Sequence, residues 1–426
     1  MSQLTVCIDR ELASLSAIPF QPYIFRVDDQ LRRENKKTYE PEMLAIGPYH
    51  HNKASLQMME EHKLRYLQLM LKRRNESSVG RYVTALEELE EKAEKCYAHS
   101  TELKKDEFVR MMLLDGCFMI ELFRKFLNEE LRDTNDPIFQ LTRIRCILHR
   151  DLLLFENQLP FFVLLRLFDM TKDPNQQDIP SRIDNIFYLA LNFFESLPDL
   201  IYLQPSGFPT NNVKHLLGLV HDTWCSSFAV MVSSRGKYAD QGRRWEFIKC
   251  TTELLEAGIK FEKATEYSSL LDIKFENGVL KIPPLVISDE TELLLRNLIA
   301  YEQYNRGIEP FYLTDYATFI DCLINTPKDA EKLRHYGIID NWLGDDEAVS
   351  TMFNKLGNYV IVDSITFCYS KVFKKINEHC ERRRHIWMAN LRHNYFNSPW
   401  SIISLSGAIL LLLLTMVQTI CSILQF

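Results

Sequence analysis

No phosphate-cradling glycine loop occurs in this chain: GxxxxGK[ST] and GxGxxG are both missing, as are HExxH and GxSxG. The common nucleotide-binding, metalloprotease and serine-hydrolase signatures are therefore excluded. The ten cysteines form no CxxC pair and no Cys/His set at metal spacing. They read as reduced thiols, mostly core filler, which speaks against a disulfide framework and fits a cytosolic location. No metal or other cofactor is expected. An excess of positive charge is lacking too, since the formal net charge is -7, and this argues against nucleic acid as a partner. The first twenty residues show no basic region followed by an apolar one, so no secretory leader is read there.

The most informative absence is local. Trp400 to Leu424, WSIISLSGAILLLLLTMVQTICSIL, contains no Asp, Glu, Lys, Arg or His. A helix of roughly 25 residues is about 37 Å long, enough to cross a hydrocarbon core of about 30 Å with some tilt. Core helices seldom run this long without a charge. Residues 399–424 are thus expected to form a single transmembrane helix, with Trp400 in the aromatic belt, Leu410, Leu411, Leu412, Leu413 and Leu414 in lipid, and Gln418 able to hydrogen-bond there. Ser404 and Ala408 are small residues four apart, a spacing that also suits self-association into a homo-oligomer through the span.

Flanking charge sets the orientation. Lys374, Lys375, Arg382, Arg383, Arg384 and Arg392 precede the span, whereas Gln425 and Phe426 beyond it carry no side-chain charge. The positive-inside rule places the large N-terminal part in the cytosol, with acidic lipid headgroups of the bilayer beside the basic run. Insertion after translation follows, into the plasma membrane or the endoplasmic reticulum. The Asn75-Glu76-Ser77 sequon points the other way, and a single such match occurs often by chance.

What is present is mostly helical pattern. With 46% apolar residues and 26 Phe, the chain can build a sizeable core. Residues 1–34, broken by Pro19 and Pro22, read as an N-terminal arm, and 35–51 as an extended segment ending in a Gly47-Pro48 turn. The adjacent His50 and His51 would point to opposite faces there, which is poor chelate geometry and favours a packed or hydrogen-bonded pair. Ser55 to Leu71 has helical periodicity, with Glu60, Lys63 and Arg65 on the wet side, and Tyr82 to Cys96 extends as one long amphipathic helix. Glu107 to Leu127 is apolar on all sides and should be central, with Asp115 in need of a partner such as Arg145, Arg150 or a backbone cap.

Leu148 to Phe168 reads as two buried helices meeting at Glu156-Asn157-Gln158, whose polar groups should satisfy the backbone at the break. Loops are expected at about 170–184, 199–214 and 233–244, and they are the likeliest segments to move. Asn277-Gly278 between alternating apolar residues predicts a β-hairpin at about 270–287. Helices follow at 293–303, 315–324, 330–336 and 346–356. A last long basic helix is expected from Tyr359 to His393. The fold class is mainly α: a large helical bundle-like domain over 35–393 with one small hairpin and the C-terminal span.

Several motifs support a resemblance in order and combination. They are Tyr39-Glu40-Pro41 with Ile46-Gly47-Pro48-Tyr49-His50-His51, and Met111-Met112-Leu113-Leu114-Asp115-Gly116-Cys117-Phe118. Asp151-Leu152-Leu153-Leu154 with Glu156-Asn157-Gln158-Leu159-Pro160-Phe161-Phe162 follows, then Ile282-Pro283-Pro284-Leu285 and Arg296-Asn297-Leu298-Ile299-Ala300. Together they resemble the plant family called domain of unknown function 247. The resemblance implies a mostly helical plant protein with one C-terminal span and no established biochemical activity, some relatives being tied to self-incompatibility recognition in grass pollen. It offers no catalytic residues.

Two function classes remain. The first is a membrane-tethered recognition or signalling protein that binds unidentified protein partners through its cytosolic body. The second is a hydrolase or transferase with an unrecognised carboxylate site, built on Asp115, His149, Asp151 and Glu156. Helical spacing alone does not assemble that site, because Asp151 and Glu156 lie about 140° apart and Asp115 and Glu121 about 120° apart. The enzyme reading requires tertiary packing to bring at least two of these groups to one reachable cleft with raised carboxylate pKa values.

Overall fold

The computed structural model describes residues 3–14, 22–172, 185–195, 213–234, 245–267, 269–305, 308, 310–363, 365–381 and 399–424. The predicted loops at 170–184, 199–214 and 233–244 fall largely outside them. So do Arg382, Arg383, Arg384 and Arg392, and the side chain of Trp400.

Within the expected arm, helix α1 (Gln3–Ser14) is amphipathic and exposes Leu4, Val6, Ile8 and Leu12. From Ile24 the chain is no longer a surface arm. Ile24 and Val27 are buried, Ile24 bridges to Tyr97, and Asp28 caps α2 (Asp29–Glu34) by accepting from the Gln30 and Leu31 N–H groups. The segment expected to be extended over 35–51 instead begins with a 3-10 turn at Lys36–Tyr39, and a second one at Ala54–Leu56 leads to α3 (Met58–Arg73). The helix expected over Tyr82–Cys96 is instead two short ones, α4 (Gly80–Glu87) and α5 (Glu90–Glu94), broken at Glu88-Leu89. Ala93, Cys96 and Tyr97 beyond the break are buried.

The central helix is α6 (Lys105–Leu127), with buried residues on every face as its composition requires. It packs on α3, and on α9 (Phe161–Met170), which comes after α7 (Pro137–Gln140) and α8 (Thr142–Leu152). Gly116 permits the close approach of α6 and α9, since a Cβ placed there would lie 2.4 Å from Leu167 Cδ1. Then come α10 (Ile186–Glu195) and α11 (Leu216–Ser234). The chain forms two compact units, and it passes from the first to the second between Ser226 and Ser227, returning to the first for 290–308.

The second unit begins its regular structure with α12 (Thr251–Glu256) and β1 (Lys260–Lys263). The predicted hairpin is present as β2 (Lys274–Glu276) and β3 (Val279–Ile282), with Phe275 opposite Leu280. Asn277 and Gly278 both adopt positive φ, 53° and 79°, as a two-residue turn of this hand demands. The hairpin is one part of a three-stranded sheet, because β1 pairs with β3 in parallel. Past Pro283-Pro284, β4 (Leu285–Ile287) forms a second, parallel pair with β5 (Ile339–Asn341). Between them run α13 (Thr291–Tyr304), which belongs to the first unit, and α14 (Tyr312–Leu323) and α15 (Pro327–His335) of the second. Asp329 closes a capping box with Thr326 and also accepts from the Thr252 N–H and hydroxyl.

Helix α16 (Asp346–Leu356) is as expected, but no long helix starts at Tyr359. Tyr359 has φ 63°, and the described residues among 360–369 run without helix to α17 (Ser370–Glu381). They put Phe367 and Tyr369 into an aromatic core with Trp245, Phe319 and Phe373. Tyr369 Oη donates to the Leu271 carbonyl at 2.7 Å. Lys374 and Lys375 are exposed on α17.

The C-terminal helix, α18 (Pro399–Leu424), has 26 residues. Leu410, Leu411, Leu412, Leu413 and Leu414 on it are each more than half exposed. By length and hydropathy of the described residues, α11 over Leu216–Ser233 is long and apolar enough to cross a membrane, and more than half of that stretch is buried in protein. The apolar stretch described on α18 is Ser406–Ile420.

Filling the α6–α9 contact should be felt directly. Gly116→Ala is expected to cost about 1–3 kcal/mol in urea unfolding followed by circular dichroism, and combining it with Leu167→Ala should cost less than the sum of the two.

Candidate functional site

Leu44, Ala45, Ile46 and Gly47 are buried in backbone that forms neither helix nor sheet, and Val27 before α2 is buried too, so their N–H and C=O groups need partners from elsewhere. Side chains from sequence-distant elements provide them. Asp151, near the end of α8, accepts the N–H groups of Glu42 at 3.0 Å and of Met43 and Leu44 at 2.8 Å. Asn157 accepts from Ile46 N–H at 2.7 Å and donates to the carbonyls of Leu44 and Asp151. Gln158 donates to the Leu152 and Leu154 carbonyls and accepts from Leu217 N–H. The polar tripeptide therefore does satisfy the break between α8 and α9, and it fastens a third segment as well.

Asp115 takes part in the same scheme. Its partner is neither Arg145 nor Arg150. Lys63 Nζ lies 2.6 Å from Oδ1, and Gly47 N–H donates to Oδ2 at 2.8 Å. Lys63 is fully buried, not on a wet face, and its three protons go to Asp115, Glu60 and the Ala45 carbonyl. Burial opposes the charge on Lys63, and the two carboxylates overcome it and hold the ammonium protonated. Gly47 has φ +72°, and a Cβ on it would meet the Gln158 carbonyl oxygen at 2.4 Å, so this tight passage requires glycine. Arg150 instead donates to the Lys37 carbonyl at 2.8 Å. Glu121, on another face of α6, is held in a fork by Arg73, both contacts being 2.6 Å.

Of the residues proposed for the carboxylate site, Glu156 lines a cleft. This depression of about 830 Å³ is lined by Arg26, Arg32, Glu40, Tyr49, His50, Lys53, His99, Glu156 and Tyr304, among others. Glu156 accepts Val27 N–H at 2.7 Å and is paired with the Arg32 guanidinium. His50 Nε2 lies 3.5 Å from its second oxygen, and neither ring nitrogen of His50 has a hydrogen-bond partner among the described residues. Burial alone would raise the Glu156 carboxyl; the His50 ring, Arg32 and the Val27 N–H outweigh it and hold the group below the usual carboxylate range. Burial lowers His50 in spite of Glu156. A salt-bridged carboxylate kept ionised is a poor general acid, whereas the rim of Arg26, Lys53, Asp28 and Asp29 with two tyrosines suits recognition of a polar, mixed-charge surface.

The other three residues lie apart from this cleft. Asp151 is fully buried, and burial raises it to about 6 against its three N–H donors. His149 packs among Phe126, Phe193 and Phe194, its ring centroid 4.1 Å from that of Phe193, and burial lowers it to about 4. Asp115, Asp151 and Glu156 are united by holding one chain segment, not by facing one substrate. His51 does not pair with His50 and turns toward a different depression with Glu60 and Arg110. Sequence reasoning missed Lys63, Arg32 and Asn297, which donates to the Thr38 carbonyl and accepts from Phe155 N–H.

A family model described as a plant protein of unknown function, domain of unknown function 247, matches residues 24–414. A UPF0481 protein of Arabidopsis thaliana is 32% identical over 421 residues, which is 95% of this chain and 86% of the relative. A putative UPF0481 protein of the same plant is 22% identical over 499 residues, covering 96% of this chain and 92% of its own length. No solved structure matches.

Two carboxylates of the network should leave opposite signatures in stability against pH. Glu156 is lowered when folded, so its contribution is present above about 4.5 and fades as pH falls through its folded value. Asp151 is raised from 3.8 to about 6, so its contribution is present below 3.8 and is lost as pH rises through about 6. Chemical denaturation of Glu156→Gln and Asp151→Asn across pH 3.5–7 is expected to give stability differences from the parent with slopes of opposite sign; equal slopes would contradict these assignments. In the same assay Lys63→Met should cost about 3–5 kcal/mol, and Lys63→Met with Asp115→Leu less than that.

Proposed function

Because this chain belongs to the plant protein family of unknown function called domain of unknown function 247, we propose a role for it from its own features: a recognition or signalling protein tethered to a membrane by its C-terminal helix. The observation that carries this reading is α18, whose described apolar side chains are exposed along its length. Removing ten such side chains from water stabilises by roughly 15–30 kcal/mol, and a bilayer is an apolar medium of matching depth. The helix has no charged residue to oppose insertion. Its two threonines bond within the helix, Thr415 donating to the Leu411 carbonyl at 2.7 Å and Thr419 to the Thr415 carbonyl at 2.8 Å. Hydroxyls satisfied within a helix are what lipid tolerates. Helix α11 is a weaker candidate for the span because Leu216, Leu217, Leu219 and Val220 are already buried in protein.

The basic run that includes Lys374 and Lys375 supports a cytosolic body and contact with acidic headgroups. Partners of that body are proteins, met at the mixed-charge cleft around Arg26, Lys53 and Glu40. Recognition of this kind is what the self-incompatibility role of some relatives would require. The membrane is the plasma membrane or the endoplasmic reticulum, and self-association through Ser404, Ala408 and Gln418 is compatible with a single span.

The full chain is expected in the membrane pellet and resistant to alkaline extraction, and the chain lacking 399–424 in the supernatant. Protease added to sealed membranes should degrade the body. Recovery of the full chain in the soluble fraction without detergent would reject the tether. Proximity labelling should lose partners on Arg26→Glu with Lys53→Glu while membrane association stays; an unchanged partner set would reject the cleft as the recognition surface.

A further inference from the structure

One buried polar cluster lies outside everything described so far. His221 and Cys225 are four residues apart on α11 and share a face, and Glu302 comes from α13. All three belong to the first unit and are 3% exposed or less. His221 Nε2 is 2.8 Å from Glu302 Oε1, and Cys225 Sγ is 3.8 Å from the same nitrogen. One donor atom from each residue lies within 4.8 Å of the others. We propose that His221, Cys225 and Glu302 form a zinc site that fastens α11 to α13.

Three features favour an ion over a plain buried ion pair. Zinc bonds of about 2.0–2.3 Å in a tetrahedron set donor atoms roughly 3.3–3.8 Å apart, so the observed spacings need only small side-chain rotations. Two ligand types converge on the Nε2 edge of one imidazole, although a hydrogen bond would need only Glu302. His221 Nδ1 is 3.0 Å from Asp222 Oδ1, the outer carboxylate that typically orients a metal-bound histidine and directs its other nitrogen at the ion. The donor set of thiolate, imidazole and carboxylate suits zinc, and it leaves one tetrahedral position for water.

The charges balance. Zinc takes the lone pairs of Nε2 and Sγ and releases one proton from each, leaving a neutral site of zinc, thiolate and carboxylate. Burial opposes a charged His221, and Cys225, Asp222 and Glu302 overcome it; burial pushes the Cys225 thiol up. Release of both protons makes occupancy rise with pH. Cys225→Ser keeps a hydroxyl beside His221 Nε2 in place of the sulfur, so it is a mild change.

The full-length chain in detergent should carry about one zinc by elemental analysis. X-ray absorption at the zinc edge should count one sulfur neighbour, with the rest nitrogen or oxygen. Grown with cobalt, the chain should show a thiolate-to-cobalt charge-transfer band. Cys225→Ser and Glu302→Gln should keep the helical circular dichroism and lower metal content roughly tenfold or more, and Cys225→Ser should lose the band. Below about 0.1 equivalent of zinc or cobalt in the parent chain, no ion is held and the cluster is an ordinary ion pair. A sulfur count of zero or of two and more, or metal unchanged in Cys225→Ser, would also overturn the proposal. The sulfur count decides the matter on the parent chain even if a variant fails to fold.

Discussion

Buried backbone that joins neither a helix nor a sheet must find its hydrogen-bond partners among side chains, and the first unit is arranged to meet that demand. Each unmet buried amide costs on the order of 1–3 kcal/mol, so the seven or so fastenings along residues 27–47 together rival the net stability of a whole domain. Asp151, Asn157, Asp115, Glu156 and Asn297 do the work that a neighbouring strand would do elsewhere. Their acidic and amide character comes from the N–H groups they must accept. The conspicuous polar residues within the most apolar helices thus have a structural cause before any functional one.

Much of the helical architecture was legible from apolar spacing. The all-round apolar pattern of α6 and the Pro160 break between α8 and α9 correspond to the observed helices. Asn277-Gly278 correctly marked the hairpin, but the parallel addition of β1 has no local signal, since strand partners far along the chain leave no trace in a short window. The same limit explains the two long helices that are not there. Periodicity continues through Glu88-Leu89 and past Tyr359, but the helix is interrupted at the first and Tyr359 takes positive φ at the second, where Phe367 and Tyr369 pack together.

At the site, the sequence singled out the right acidic residues, and of the partners it offered Asp115 the backbone group is present, as Gly47 N–H, but neither arginine is. Arg145 and Arg150 were attractive partners for Asp115 because arginine is the usual mate of a buried carboxylate. The residue chosen, Lys63, sits in a pattern that places it toward water, and only the structure reveals that α3 turns this position inward. Four-residue spacing of His221 and Cys225 is visible in the sequence, yet it takes the arrival of Glu302 from a segment about eighty residues away to make it notable.

The fastening of residues 27–47 by 115–158 also sets an order in time. During synthesis the early segment leaves the ribosome well before its acceptors exist, and at roughly 5–20 residues per second about a hundred residues take some 5–20 s to follow. Through that interval Leu44, Ile46 and Tyr49 have nowhere to settle. Until residues 151–157 have followed, the acceptors of the Leu44 and Ile46 N–H groups are missing from the nascent chain, so this segment docks late in synthesis.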